Sequence, residues 1–282
     1  MITFNTLQGI SLDELTETFN LAFSDYLIPL KLTGEQLQTK MQSENTQLHY
    51  SVGAFDNGKL VGFILHAFDT EDNRKKIYNG GTGVIPSHRG NKLTVKMYEF
   101  ILPILQQNQI DEILLEVISE NQQAIKPYEQ VGFCLNRKLD CFSGEANLSP
   151  KENNNIIYSD INPIKIINKQ SIGEVRPSWQ NTINSIERIA DMVQLTGAFE
   201  DRKLVGYIAF NPTVKRIYQI AVSQNHRRQG IGSTLVHEMT KQYGSQWSII
   251  NVDQHANSTI DFLKAIGLKH NLTQLELTYQ LP

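Results

Sequence analysis

The chain has 282 residues, a formal charge of -3, 40% hydrophobic and 20% charged residues, a make-up that fits a globular protein with room for one large domain or two ordinary ones. That charge argues against a nucleic-acid surface and is mildly favourable for a cationic acceptor. No apolar run is long enough to cross a bilayer, and the opening MITFNTLQGI has neither a basic nor an apolar leader region, so the expectation is a cytoplasmic protein with no membrane partner.

Taken in order, Ser11-Leu12-Asp13-Glu14 has the form of a capping box ahead of the apolar positions Leu15, Phe19 and Ala22, which predicts a first helix. Thr33-Gly34-Glu35-Gln36 predicts the start of a second. The apolar and aromatic residues 23–30 between them read either as a staple on the core or as a wall of an acceptor pocket. Residues 50–55 and 59–64 flank Asp56-Asn57-Gly58, a hairpin signal.

A strand is expected at 77–84, then a polar loop with Arg89, Lys92 and Thr94, then a helix carrying Val95, Tyr98, Ile101 and Leu102. Residues 113–117 (ILLEV) predict a further strand containing Glu116, and residues 121–133 (NQQAIKPYEQVGF) a helix containing Tyr128. Cys134 and Cys141 show no metal-ligand spacing, so they read as two buried or half-buried thiols, and no metal is expected. The polar, asparagine-rich stretch 146–155 reads as a linker.

Past it come two β-rich runs, 156–158 and 164–167, and a helix with Ile183, Ile186 and Ile189. Then GAFEDRKLVGYI at 197–208 repeats GAFDNGKLVGFI at 53–64, an internal period of about 140 residues, which is domain-sized. The second copy continues with a strand at 217–222 (IYQIAV) that leads into Arg227-Arg228-Gln229-Gly230-Ile231-Gly232 and a helix with Ile231, Leu235, Val236 and Met239. Glycines at the opening of a helix expose the free N–H groups of its first turn, and two arginines add charge. The predicted ligand is a phosphate or pyrophosphate.

Two segments carry a family resemblance. Arg227 to Gly232 fit R/Q-x-x-G-x-G/A, and Asn121, Ala124, Tyr128, Gly132 and Phe133 fit N-x-x-A-x-x-x-Y-x-x-x-G-F; both resemble the GNAT acyltransferase superfamily. The resemblance implies an α/β fold of two tandem domains, each a mixed, mostly antiparallel sheet flanked by helices, at 1–145 and 156–282. It implies acetyl-coenzyme A as cosubstrate, bound by Ile220, Ala221, Val222, Arg227, Arg228, Gln229, Gly230, Ile231, Gly232, Ser233 and Asn257. It also implies a small-molecule or peptide amine as acceptor, attacked directly without a covalent enzyme intermediate, and it leaves the oligomeric state open.

By the same resemblance Tyr128 is the candidate general acid for the leaving thiolate, against a reading as a core tyrosine. Glu116 is a possible base, against a reading as a solvated or ion-paired carboxylate. The two halves depart from the pattern in opposite ways. Lys92 and Thr94 stand where the second half has Gly230 and Gly232, whereas Leu263 and Asn251 stand where the first half has Tyr128 and Glu116. Three alternatives stay open: a dinucleotide site, with Asp253 at the right distance but Leu235 where a third glycine belongs; a non-catalytic acyl-coenzyme A binding or regulatory module; and a composite enzyme using both halves.

Overall fold

Each hairpin and helix start read from the sequence has a local physical cause. The computed structural model describes residues 1–26, 30–147, 155–162, 172–173 and 176–282. The expected run at 164–167, most of the linker and Leu27, Ile28 and Pro29 of the aromatic loop lie outside the described residues. The chain forms two compact units: residues 1–136 with 275–282, and residues 137–274. The repeat in the sequence, 1–145 and 156–282 about a linker, assigns the last strand of each half differently.

The first unit contains β1 (Ile2–Thr6), α1 (Leu12–Ala22), α2 (Gly34–Glu44), β2 (Val52–Asp56), β3 (Lys59–Glu71), β4 (Arg74–Val84), α3 (Leu93–Gln107), β5 (Glu112–Ile118) and α4 (Gln122–Val131). Strands β1 to β4 are antiparallel neighbours, and β5 runs parallel to β4. Along β3 the side chains alternate between two cores. Ile64 packs with Met97, Tyr98 and Ile101 of α3, while Phe63 and Leu65 pack with Leu15 and Phe19 of α1 and Leu37 of α2. Period-two alternation thus dresses both faces of the sheet with helices.

Thr33 caps α2 with the full reciprocal box to Gln36. Ser11 accepts from the Glu14 N–H as expected, but the Glu14 carboxylate accepts from the Leu60 N–H on β3 at 3.1 Å instead of closing its own box. A tertiary contact has taken the local partner.

Unit two holds the Arg137 end of β6 (Cys134–Glu145), β7 (Ile157–Asp160), α5 (Ile183–Glu187), β8 (Gln194–Glu200), β9 (Lys203–Asn211), β10 (Arg216–Val222), α6 (Ile231–Tyr243), β11 (Gln246–Asp253), α7 (Asn257–Ala265) and the start of β12 (Lys269–Gln280). Its sheet again has one parallel pair, β10 with β11, among antiparallel neighbours. Helix α5 ends at Glu187, so Ile189 reaches the core from the turn that follows it. Cys141 is buried, but Cys134 is exposed, contrary to the sequence expectation, because the pattern at the start of β6 turns three consecutive residues outward.

The repeat survives in detail. Both copies of the hairpin carry an irregularity between the same residues, Ala54/Phe55 and Ala198/Phe199. Gly53 and Gly197 recur for a packing reason: an added Cβ would come within 2.7 Å of Leu60 in one unit and of Ile161 in the other.

In each unit the parallel pair opens into a wedge. β10 and β11 pair at Arg216↔Ser248 and Ile217↔Ile249, after which β10 follows β9 to Val222 and β11 follows β6 to Asp253. β4 and β5 pair from Lys76↔Glu112 to Asn79↔Leu115, while β4 follows β3 to Val84. Strands that keep their outer neighbours while losing each other must diverge, and the divergence makes the groove described next.

Candidate functional site

In the second unit the open end of the wedge continues into a cavity of about 340 Å³. Ile220, Ala221 and Val222 form its strand wall, and Arg227, Arg228, Gly230, Ile231, Gly232 and Ser233 its loop and helix end. The opposite wall comes from α7. The loop turns through two left-handed residues, Arg228 (φ 64°) and Gly230 (φ 86°), and the second of these caps α6. That turn leaves the first N–H groups of α6 without helical partners at the cavity wall.

Arg227 is held rather than loose. Its Nε donates to the Val222 carbonyl and its Nη1 to Ser258 Oγ, both at 3.1 Å. His226 also lines the cavity, and its ring nitrogens lie 2.6 Å from Ser223 Oγ and 2.9 Å from Glu200 Oε2, a clasp that ties the loop to the hairpin. Among the described lining residues two arginines stand against one carboxylate, Asp261, and with a helix N-terminus beside them this set suits an anionic head followed by an apolar arm.

Nine of the eleven residues expected to hold the coenzyme line this one cavity; Gln229 and Asn257 are outside its lining. Gln229 is exposed and donates to the Asn225 carbonyl, and Asn257 is the first residue of α7, one place after the cap, Ala256. Gly232 has a neighbour that the sequence did not reveal. An added Cβ there would come within 3.2 Å of the Phe262 ring, so the glycine makes room for a cavity-lining aromatic as well as keeping the backbone bare.

The first unit has the same loop with different side chains. Gly90 (φ 80°) and Lys92 (φ 56°) take the two left-handed positions, and Lys92 caps α3. Arg89 repeats the bond to the preceding strand, Nε to the Val84 carbonyl at 3.1 Å. Its terminal nitrogens, however, go to Asp25 and to the Ala22 carbonyl. This ion pair holds the Asp25 carboxyl below its ordinary range.

Tyr128 and Glu116 belong to this first unit, whereas the eleven coenzyme residues belong to the second. Tyr128 is 7% exposed, and its ring packs edge-on against Tyr98 and Phe133. Burial pushes its phenol up to about 12. Against a thiol near 8.5, complete proton transfer from such a phenol is uphill by about 5 kcal/mol, so the group suits hydrogen-bond donation better than full protonation. Glu116 is half-buried on β5. The aromatic loop staples the core through Phe23, whose ring lies 4.6 Å from Phe19 and 5.1 Å from Tyr26.

Comparison with known proteins decides the family. The model of the acetyltransferase (GNAT) family matches residues 12–133 and 164–268, one segment in each half. The chain belongs to the GNAT acetyltransferase family. It is similar over 91 residues, at 25% identity, to N-alpha-acetyltransferase 30 of Schizosaccharomyces pombe, a match that covers 32% of this chain and 61% of that protein. It is 30% identical over 86 residues to the protein of the same name from Dictyostelium discoideum, covering 30% of this chain and 46% of the relative. The chain thus spans about half the length of the curated relatives it matches.

Among solved structures, a tandem GNAT protein from the clavulanic acid biosynthesis pathway superposes over 100% of this chain and 99% of its own, with a TM-score of 0.73 and 13% identity. A GCN5-related N-acetyltransferase from Sphaerobacter thermophilus covers 99% and 96%, with a TM-score of 0.72 and 11% identity. At these identities the likeness is one of fold: a tandem GNAT architecture, as the repeat implied. No helix among the described residues is long and apolar enough to cross a membrane. No group of three or more histidine, cysteine, aspartate or glutamate side chains placed to hold a metal occurs among them either.

Several residues lining the cavity of this GNAT chain were not read from the sequence: Ile172, Ser258, Thr259, Asp261, Phe262 and Ala265. A signal for most of them existed. Ser258, Asp261, Phe262 and Ala265 fall at i, i+3, i+4 and i+7, one face of α7, and that spacing, carried on from the phosphate loop, marks the facing wall.

Proposed function

We propose that the chain is an acetyl-coenzyme A-dependent N-acetyltransferase whose second unit binds the coenzyme and passes the acetyl group to a primary amine by direct attack. The observation that carries this reading is the convergence of nine expected residues on one cavity beside a helix N-terminus. The donor set fits the group. The amides opening α6, with Arg227 and Arg228, would hold the diphosphate, and Ile220, Ala221 and Val222 would flank the apolar arm.

When bound, acetyl-coenzyme A supplies the acyl group as an activated thioester. The protein residues then position and exclude. Arg227, fixed by Val222 and Ser258, keeps its charge aimed at one place. Phe262 and Ile231 shut water from the apolar length of the groove. An amine near pKa 10 must lose a proton before it attacks. In this reading Glu116 and Tyr128 of the first unit are proposed to act on protons only in a composite enzyme.

Peptide α-amines head the acceptor panel because the curated relatives are named N-alpha-acetyltransferases; small-molecule amines follow. The test is calorimetric binding of acetyl-coenzyme A to the full chain, followed by measurement of free thiol released with each acceptor. Binding with turnover on an amine supports the proposal. Binding without turnover on any amine favours the non-catalytic acyl-coenzyme A module, and absence of binding removes both.

A further inference from the structure

The wedge between β10 and β11 has a stopper at its closed end. Asn181, last residue of the short 3₁₀ turn Trp179–Asn181, spans the two strands where they part. Its carbonyl accepts from Gln219 Nε2 on β10, and its own Nδ2 donates to the Ile250 carbonyl on β11 at 2.7 Å. Its Oδ1 accepts from Arg216 Nη2 at 2.8 Å, its Nδ2 also reaches Ser178 Oγ at 3.2 Å, and its N–H donates to the Ser178 carbonyl at 2.9 Å. Gln219 is fixed in turn, since the Tyr207 hydroxyl donates to its Oε1 at 2.5 Å. Asn181 is 4% exposed and all its polar atoms are engaged. A side chain held by that many bonds has one position, and moving it would orphan a buried carbonyl.

Direction supplies the functional consequence. β10 runs from Arg216 to Val222 and delivers the chain into the Arg227 loop. A ligand whose phosphates sit at that loop, and whose arm runs back along Val222, Ala221 and Ile220, has its far end aimed at Gln219 and therefore at Asn181. Across the same gap the first unit has Gly80-Gly81 in place of Tyr218-Gln219, and there the buried Glu44 carboxylate lies where a Cβ on Gly80 would go.

We propose that Asn181, pinned between Gln219 and the Ile250 carbonyl, is a specificity-determining residue that stops the acyl chain of the coenzyme at two carbons. The proposal rests on the coenzyme reading above. It makes Asn181 a wall rather than a participant: a longer acyl chain meets a rigid polar plug instead of free space. Shortening the plug opens room, and each methylene that finds such room contributes about fourfold in affinity.

The experiment measures equilibrium binding of acetyl-, propionyl- and butyryl-coenzyme A to the full chain by calorimetry, with no acceptor present, for the unsubstituted protein and for Asn181→Ala. The expected result is tighter binding of acetyl- than of butyryl-coenzyme A in the unsubstituted protein. In Asn181→Ala the butyryl-to-acetyl affinity ratio should rise about tenfold or more, with acetyl affinity within about threefold. Circular dichroism checks the fold; if Asn181→Ala does not fold, Asn181→Ser, which keeps a hydroxyl for the Ile250 carbonyl, reads the same ratio. An unchanged ratio in a folded variant that still binds acetyl-coenzyme A overturns the proposal and leaves the coenzyme reading standing. Failure of the unsubstituted protein to bind any of the three overturns both.

Discussion

Arg89 closes a two-pronged ion pair on Asp25, with both nitrogen-to-oxygen distances at 2.7 Å. The matching arginine of the second unit, Arg227, spends one terminal nitrogen on Ser258 and lines the cavity. Arg89 is thus tied to a carboxylate of its own unit, whereas Arg227 lies in the lining of the cavity proposed to hold the coenzyme. Arg227→Ala is therefore expected to weaken acetyl-coenzyme A binding at least tenfold, while Arg89→Ala leaves it within about twofold, since a desolvated charge-assisted bond is worth about 1.5–3 kcal/mol. Calorimetry on the two variants checks this, and the stoichiometry should be one coenzyme per chain.

Gly230 has φ 86°, where a β-branched side chain is strained, and it opens α6 onto the cavity. Gly230→Val should weaken the coenzyme more than Lys92→Ala does. If Lys92→Ala proves the more damaging change, the first unit holds the coenzyme and the assignment of units is reversed.

Gly232 and Phe262 should be coupled. An alanine at 232 presses its Cβ on the Phe262 ring at 3.2 Å, so Gly232→Ala alone is expected to reduce coenzyme affinity about three- to tenfold, in line with other overpacking costs. Phe262→Leu should relieve most of that loss, and a double-mutant cycle would then show non-additivity between the two sites.

His66 is a buried histidine in the first unit, 0% exposed, with Nδ1 2.8 Å from the Tyr50 carbonyl. Burial pushes its ring down to about 4 from an ordinary 6.5. The sign follows from proton uptake: below pH 6.5 the unfolded chain binds a proton that the folded one refuses, so stability is lost as pH falls from 6.5 towards 4 and is unaffected above it. The loss reaches on the order of 3 kcal/mol at the acid end of that window. Urea unfolding at pH 7 and pH 5 should show a smaller acid loss in His66→Gln than in the unsubstituted protein; equal losses would mean that His66 does not carry the effect.

What the residues disclosed in advance was whatever depends on neighbours in sequence. The Thr33 box, the hairpin at Asp56-Asn57-Gly58 and the duplicated Gly53 and Gly197 are local demands of caps, turns and close packing, and each left a pattern. The strand, loop and helix around Arg227 to Gly232 were legible for the same reason, because they are consecutive. Contacts between distant segments left none. Glu14 turning to Leu60, Gly232 yielding to Phe262, and Asn181 reaching Gln219 and Ile250 are decided by tertiary partners. The split of Tyr128 and Glu116 from the Arg227 loop was visible as letters, and the structure adds what those letters meet: Tyr128 packed against Tyr98 and Phe133, and Leu263 buried in the core of its own unit.

The membership of the last strands has a practical consequence for dissection. β6 starts among residues of the first unit and finishes in the second, and β12 does the reverse, returning residues 275–282 to the first. Scissors applied near residue 150 would strand each fragment with a ribbon that belongs to its sibling and rob it of one of its own. A clean experiment on either half therefore calls for rewired termini, with 275–282 spliced after residue 136 to make one mini-protein and 137–274 expressed as the other.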